Sequence, residues 1–542
     1  MNIDTQAASG RPWYVTTSIP YVNAQPHIGH ALESIQADVL ARYQRLAGRD
    51  VRFLTGTDEN SLKNVRAAER EGIPVQALVE RNAAQFYALR DPLELSFDDF
   101  IRTSAEPRHA EGVRKLWEAC ARNGDIYKRA YSGLYCVGCE QFYTEDELVD
   151  GVCPEHLAPP ELVEEENYFF RLSRYAQRLR ALIESDQLRI EPRARKNEVL
   201  SFIRGGLSDV SISRSRLRAR SWGIPVPGDP EQVTYVWFDA LGNYITALGY
   251  AADAPDYQRY WLGSPDRVHV IGKNIIRFHA INWPAMLLAA GVPLPTAVYV
   301  HGFVTVDGRK IGKSLGNVVD PVALAEQYGS DALRYYLLRE IPSTGDGDFS
   351  LERLARSYNA DLADQLGNLL SRTVAMVGRY FAGVAPAPGA PHPADQALLA
   401  AGDGLFGRID AAIGRFALGE ALAEIWNLVA LANKYVVEVK PWDLAKCRGA
   451  GPEAAEAELR LRTTLYNLLE VLRLAAHGLA AFLPATAEAI AGQLGVTIDS
   501  SKPLAEALAW GGYAAGTAVR PGEVLFPKLE LASASLLGPA DR

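Results

Sequence analysis

Pro26-His27-Ile28-Gly29-His30 sets two imidazoles three residues apart where a Pro/Asn loop runs into a helix. Residues at that spacing share one face of a helix. A helix N-terminus offers unpaired N–H groups and the positive end of its dipole, a setting that suits phosphate. Gly29 removes a side chain between the rings, so a ligand can approach the backbone. The imidazoles can donate to phosphate oxygens as charge builds during displacement at phosphorus. Without a ligand, the same pair would simply cap a helix.

Far downstream, Gly308-Arg309-Lys310-Ile311-Gly312-Lys313-Ser314-Leu315-Gly316-Asn317 is punctuated by glycine and carries two lysines. Such lysines can close on a polyphosphate and neutralise a leaving pyrophosphate. Taken alone, the segment reads as a solvated basic loop. It is not a Walker A loop, because the G-x-x-x-x-G-K pattern and its strand–helix setting are absent. The third constellation is Cys136, Cys139, Cys153 and His156. Two knuckles of C-x2-C/H type give three thiolates and one imidazole, a complete tetrahedral set for a structural zinc. Cys120 and Cys447 lie outside the pattern and read as ordinary thiols.

The elements that must position these residues are legible in part. Residues 14–18 read as a buried strand, 20–26 as a loop and 27–47 as a helix. Leu32, Ile35, Val39, Tyr43 and Leu46 recur along one side of that helix. Residues 51–54 make a second strand and close a β-loop-α-β unit of the kind that builds parallel sheets. A second alternation follows, with strands at 267–271 and 297–300 flanking a helix at 274–290. Between the two halves lies a stretch of different character that holds the Cys/His cluster. Beyond residue 351 the 3.6 period dominates, as in Leu422, Ile425, Trp426, Val429 and Val436, and predicts a helical bundle. The expected organisation is an α/β, Rossmann-type parallel-sheet domain (1–118 and 226–318) interrupted by a zinc-bearing insertion (119–225). A connecting segment (319–355) and a helical domain with its tail (356–542) complete it.

The 542 residues carry a net charge of −9, so no bulk positive field draws nucleic acid, and any RNA partner must be met locally. Five cysteines in this length do not suggest a secreted disulfide scaffold. No apolar run approaches the ~20 residues a bilayer demands, and residues 1–11 lack an apolar signal core. The expectation is a cytoplasmic protein that does not engage membranes.

The His-Ile-Gly-His and lysine-loop segments together resemble the HIGH and KMSKS signatures of class I aminoacyl-tRNA synthetases. Of the second signature the chain keeps both lysines and Ser314, with Ile311 and Gly312 in place of the usual Met and Ser. A zinc knuckle inside the insertion resembles the methionyl-tRNA synthetases in particular. So do Ile19-Pro20-Tyr21, the segment with Trp237, Leu241 and Tyr244, the segment with His279 and Trp283, and Asp58 in Gly56-Thr57-Asp58-Glu59. The chain departs from the family at Asn60 and Ser61, where His-Gly is usual, at Asn274, where an aspartate usually meets the ribose, and at Leu241, often proline.

The resemblance implies a ligase that activates L-methionine with ATP, assisted by Mg2+, and transfers it to the terminal adenosine of tRNA(Met), initiator included. On it, His27, His30, Lys310 and Lys313 are the catalytic residues, and Gly29, Gly272, Asn274 and Ser314 join them around ATP. Ile19, Tyr21, Asp58, Trp237, Leu241, Tyr244, His279 and Trp283 hold methionine, with Asp58 on the ammonium. Asn368, Arg372, Pro441 and Trp442 read the anticodon, whose unstacked bases suit aromatic stacking. The chain ends at Arg542 without room for the extra tRNA-binding domain of some relatives, so a monomer is expected. Two other readings stay open on sequence: a diverged paralogue that adenylates for an acceptor other than tRNA, and a non-catalytic zinc-bearing RNA-binding protein.

Overall fold

A computed structural model describes residues 10–154, 157–311, 316–343, 345–449, 451–499 and 502–530, without the side chains of Gln141 and Lys310. The chain divides into two compact units. One comprises residues 1–37, 50–91 and 95–301, and the other 38–49, 92–94 and 302–542.

The first unit is built on a six-stranded, all-parallel sheet. Its strands are β1 (Pro12–Thr17), β2 (Asp50–Thr57), β3 (Asp99–Arg102), β4 (Arg189–Glu191), β5 (Asp266–Gly272) and β6 (Ala297–His301), in the order β3-β2-β1-β5-β6-β4. Tyr14 on the central strand pairs with Arg52 on one side and Arg267 on the other. A strand paired and covered on both sides has no solvent face, which is why Trp13–Thr17 is buried without alternation. β4 arises inside the segment expected as a separate insertion, where Ile190 pairs with Val298. Three residues are too few to display a period, so this strand was invisible in the sequence.

The helix after β1 runs from Ile28 to Leu46, and Gly48 follows it with φ +81°, a conformation that favours glycine. The helical run expected at 274–290 is broken into a 3-10 turn at Lys273–Ile275, a π turn at Phe278–Asn282 and an α-helix at Trp283–Ala290. The inserted segment contains an antiparallel sheet in which the long strands Ile126–Cys136 and Glu161–Phe170 pair along their length. The knuckle Cys136–Cys139 is the turn between the first of these and Gln141–Tyr143.

The second unit is mainly helical, as expected, with Leu418–Val439 and Pro452–Leu479 the longest members. Val304–Val306 and Arg309–Lys310 form a hairpin at its start. Arg334 is fully buried and donates to Asp38 at 2.7 Å and to the carbonyls of Leu93, Ala481 and Phe482. The final segment, which carried no assignment on sequence, is fastened by buried Glu470, whose carboxylate accepts the backbone N–H groups of Gly511, Gly512 and Tyr513. No helix among the described residues is long and apolar enough to cross a membrane.

Candidate active site

Ligands of open parallel sheets bind beyond the carboxyl ends of the strands. In this sheet those ends deliver Ser18 after β1, Asp58 after β2, Gly272 closing β5 and His301 closing β6. They converge with the start of the helix Ile28–Leu46. Glu33 on that helix accepts from the backbone N–H of Ser18 at 2.8 Å and from Ser18 Oγ at 2.5 Å, and lies 2.9 Å from His301 Nε2.

His27 and His30 do come together, with rings stacked at 3.9 Å between centroids. Their Nδ1 atoms face backbone donors. Gly29 N–H donates to His27 Nδ1, and His27 N–H donates to His30 Nδ1, each at 3.1 Å. A neutral imidazole that accepts at Nδ1 carries its hydrogen on Nε2. Burial pushes the pKa of His27 down to about 4. Burial, followed by the neighbouring His27 and His301, holds His30 well below its ordinary value. Both rings are therefore neutral at pH 7 and equipped as Nε2–H donors. A Cβ on residue 29 would lie 2.9 Å from the His27 ring, so any larger residue there would displace that ring.

Buried polar atoms around Asp58 with no hydrogen-bond partner among the described residues include Tyr21 Oη, Asp58 Oδ1 and Trp237 Nε1, with Asn64 Oδ1 beside them on a residue that donates to the Asp58 carbonyl. Buried polar groups are normally satisfied, so this set marks where a polar ligand belongs. Tyr21 and Asp58 sit opposite each other in an isolated parallel bridge. Tyr21 and Trp237 meet edge to face at 6.3 Å, and Trp237 stacks flat on Phe278 at 3.7 Å. Burial raises the pKa of Asp58 well above the usual carboxylate range, and Asp239 and Glu140 raise it further.

The aromatic wall continues with Tyr244, whose hydroxyl donates to His279 Nε2 at 2.6 Å, while His279 Nδ1–H donates to the carbonyl of Ile275 at 3.0 Å. Trp283 and Leu241 are wholly inside the apolar core, and Ile19 packs against its edge. Trp283 Nε1–H donates to His269 Nε2, so the other nitrogen of His269 donates to Thr16 Oγ1 at 2.8 Å. Asn274 is exposed beside Gly272, where a Cβ would meet Asn274 Oδ1 at 3.1 Å and His301 at 3.6 Å.

Asn60, the residue that departs from the family pattern, donates to Asp239 Oδ2 at 2.8 Å. The other oxygen of Asp239 lies 2.6 Å from His109 Nε2. Glu33, His109, Asp239, His269, Phe278 and His301 were not singled out on sequence. Glu33 could have been, since it follows His30 at helical spacing, and so could His301, as the last residue of a sheet strand.

The Sγ atoms of Cys136, Cys139 and Cys153 lie within 4.8 Å of one another. A tetrahedral zinc with Zn–S near 2.3 Å spaces its thiolates about 3.8 Å apart, so the three fit that ion. Tyr143 Oη donates to Cys139 Sγ at 3.0 Å. His156, Lys313 and Ser314 lie outside the described residues, and of Lys310 only the backbone is described, paired with Thr305.

In the helical unit, Asn368 and Arg372 stand one turn apart on the helix Asn368–Phe381. The Arg372 guanidinium lies 5.8 Å from the ring centre of Trp442. Pro441 is buried at the first position of the short helix that carries Trp442.

Residues 13–159 and 157–374 match the family model of class I (M) tRNA synthetases, and residues 385–535 match the anticodon binding domain of methionyl tRNA ligase. The methionine--tRNA ligase of Caldanaerobacter subterraneus is 45% identical over 522 residues, covering 96% of this chain and 79% of that protein. That of Mycobacterium tuberculosis is 44% identical over 525 residues, covering 96% and 98%. The structure of the Mycobacterium tuberculosis methionyl-tRNA synthetase in complex with methionyl-adenylate superposes with a TM-score of 0.89 at 44% identity, over 95% of this chain and 100% of that one. The chain belongs to the methionyl-tRNA synthetase family of class I aminoacyl-tRNA synthetases, the ATP-dependent ligases that join methionine to tRNA.

Proposed function

We propose that methionine and ATP react in the cleft at the carboxyl ends of β1, β2, β5 and β6. The methionine ammonium pairs with Asp58, and Tyr21, Trp237 and Ile19 close around the amino acid. Tyr244 and His279, with Leu241 and Trp283 behind them, shape the apolar end for a thioether, which packs well against aromatic edges. The observation that carries this reading is the trio of unpartnered buried atoms on Tyr21, Asp58 and Trp237. A zwitterion supplies what each lacks, a cation for the carboxylate and an acceptor for the two donors.

ATP lies with its phosphates toward His27, Gly29 and His30 and its ribose toward Gly272, Asn274 and His301. Methionine carboxylate attacks the α-phosphate in line, with pyrophosphate leaving, and a ribose hydroxyl of the tRNA's terminal adenosine then takes the methionyl group from the adenylate, with AMP leaving. Lys310, Lys313 and Ser314 bind the polyphosphate, and magnesium enters with ATP. The two histidines contribute neutral Nε2–H donors to developing charge and no acid–base exchange at pH 7. Cys136, Cys139 and Cys153 hold a structural zinc with His156 as fourth ligand. Asn368, Arg372, Pro441 and Trp442 read the methionine anticodon, and the protein works in the cytoplasm as a monomer.

The test is ATP–pyrophosphate exchange with each of the twenty amino acids, followed by charging of tRNA(Met). Methionine-dependent exchange with charging is expected. Exchange without charging would favour the diverged paralogue, and no exchange would remove the enzyme reading.

A further inference from the structure

Glu140 follows directly on the metal knuckle, yet its side chain is turned inward and fully buried. Its backbone has φ +54°, a left-handed conformation that non-glycine residues adopt only at a cost. The carboxylate is used at both oxygens. Oε1 accepts the backbone N–H of Lys63 at 3.2 Å, and Oε2 accepts from Arg214 at 3.0 Å and from the hydroxyl of Tyr135. Arg214 also donates to Tyr135 Oη at 3.0 Å, closing the network.

Lys63 belongs to the first turn of the helix Leu62–Glu71, capped by Ser61, so Glu140 supplies that N-terminus with negative charge. The same turn governs the residues around Asp58. Asn64 Nδ2 donates to the carbonyls of Asp58 at 3.1 Å and Glu59 at 2.9 Å. The Lys63 ammonium lies 4.5 Å from the centre of the Tyr21 ring. One carboxylate thus connects the knuckle to both Asp58 and Tyr21, at the price of an unfavourable backbone.

We propose that Glu140 is a positioning residue for methionine: by holding the Lys63 amide from the knuckle turn, it sets the loop 58–61 and the Tyr21 ring at the separation that the amino acid's charged end requires. This rests on the assignment of Asp58 and Tyr21 to methionine given above. ATP, held by the other end of the cleft, does not depend on it.

The test compares full-length wild type, Glu140→Ala and Glu140→Gln in methionine binding by calorimetry without ATP, in the KM for methionine and for ATP during pyrophosphate exchange, and in zinc content. Loss of the tether in Glu140→Ala is expected to weaken methionine binding and raise its KM at least tenfold. The KM for ATP should stay within twofold, with zinc retained. Glu140→Gln, which keeps one oxygen for the Lys63 amide, should fall between the two proteins, and it carries the test if the alanine variant does not fold. A methionine KM within twofold of wild type, or equal rises for methionine and ATP, would overturn the proposal. Asp58→Asn, measured alongside, separates the two layers. If it leaves methionine binding intact, the site assignment fails, whereas if it alone weakens binding, only the role of Glu140 fails.

Discussion

The backbone N–H of His27 donates to Nδ1 of His30 at 3.1 Å, so the residue that opens the helix fixes the tautomer of the ring one turn on. With His27 Nδ1 occupied by Gly29 N–H, both rings keep their hydrogen on Nε2. The expected consequence is catalytic. His27→Ala removes one donor to developing charge and should lower kcat for pyrophosphate exchange by about 10²- to 10³-fold, leaving the KM for methionine nearly unchanged. Steady-state exchange kinetics check this split.

The same histidines make stability depend on pH with a definite sign. His27 titrates near 4 when folded, below its ordinary 6.5, so between these values the unfolded chain binds more protons. The stability that goes with the neutral ring is fully present above pH 6.5 and is lost as pH falls toward 4. The urea midpoint should drop between pH 7 and pH 5, and drop less in His27→Ala.

The knuckle makes a prediction independent of catalysis. Three thiols within 4.8 Å of one another should take up one zinc per chain, measured by elemental mass spectrometry on purified protein. Cys153→Ser should lose the metal and melt at lower temperature, since zinc binding at such sites is also folding energy. Retention of zinc in that variant would contradict the assignment.

Trp442 separates tRNA recognition from chemistry. Its ring is held under Arg372 in the helical unit. Trp442→Ala should reduce kcat/KM for charging tRNA(Met) by about 5- to 150-fold, the equivalent of 1–3 kcal/mol per stacked base. Pyrophosphate exchange, which needs no tRNA, should stay within twofold.

Much of this was readable from the sequence because local rules govern it. The helix at Ile28–Leu46 follows its apolar period, and the cysteine spacing brings three thiols together. What was not readable depends on contacts between distant residues. Glu33 meets Ser18 and His301, His109 meets Asp239, and Glu140 meets Lys63, and no local pattern announces such pairs. Arg189–Glu191 joins the main sheet only because the chain returns to its edge. The aromatic residues of the two tryptophan-bearing segments also divide in space. Trp237 has an N–H without a partner among the described residues, whereas Trp283 spends its own on His269 inside the core.

The proposed pairing of buried Asp58 with the methionine ammonium is open to direct measurement. The pKa of Asp58 is raised by burial and by Asp239 and Glu140, so the charged form costs stability in the free protein, and that cost grows as pH rises above the ordinary carboxylate value. Calorimetric titration with L-methionine at pH 7, run on wild type and Asp58→Asn together with their melting temperatures, tests it directly. Methionine affinity should fall at least about 100-fold, the loss of a buried charge pair, while the ligand-free variant melts at or above the wild-type temperature. Unchanged affinity, or a variant that is destabilised without ligand and binds methionine normally, would contradict it.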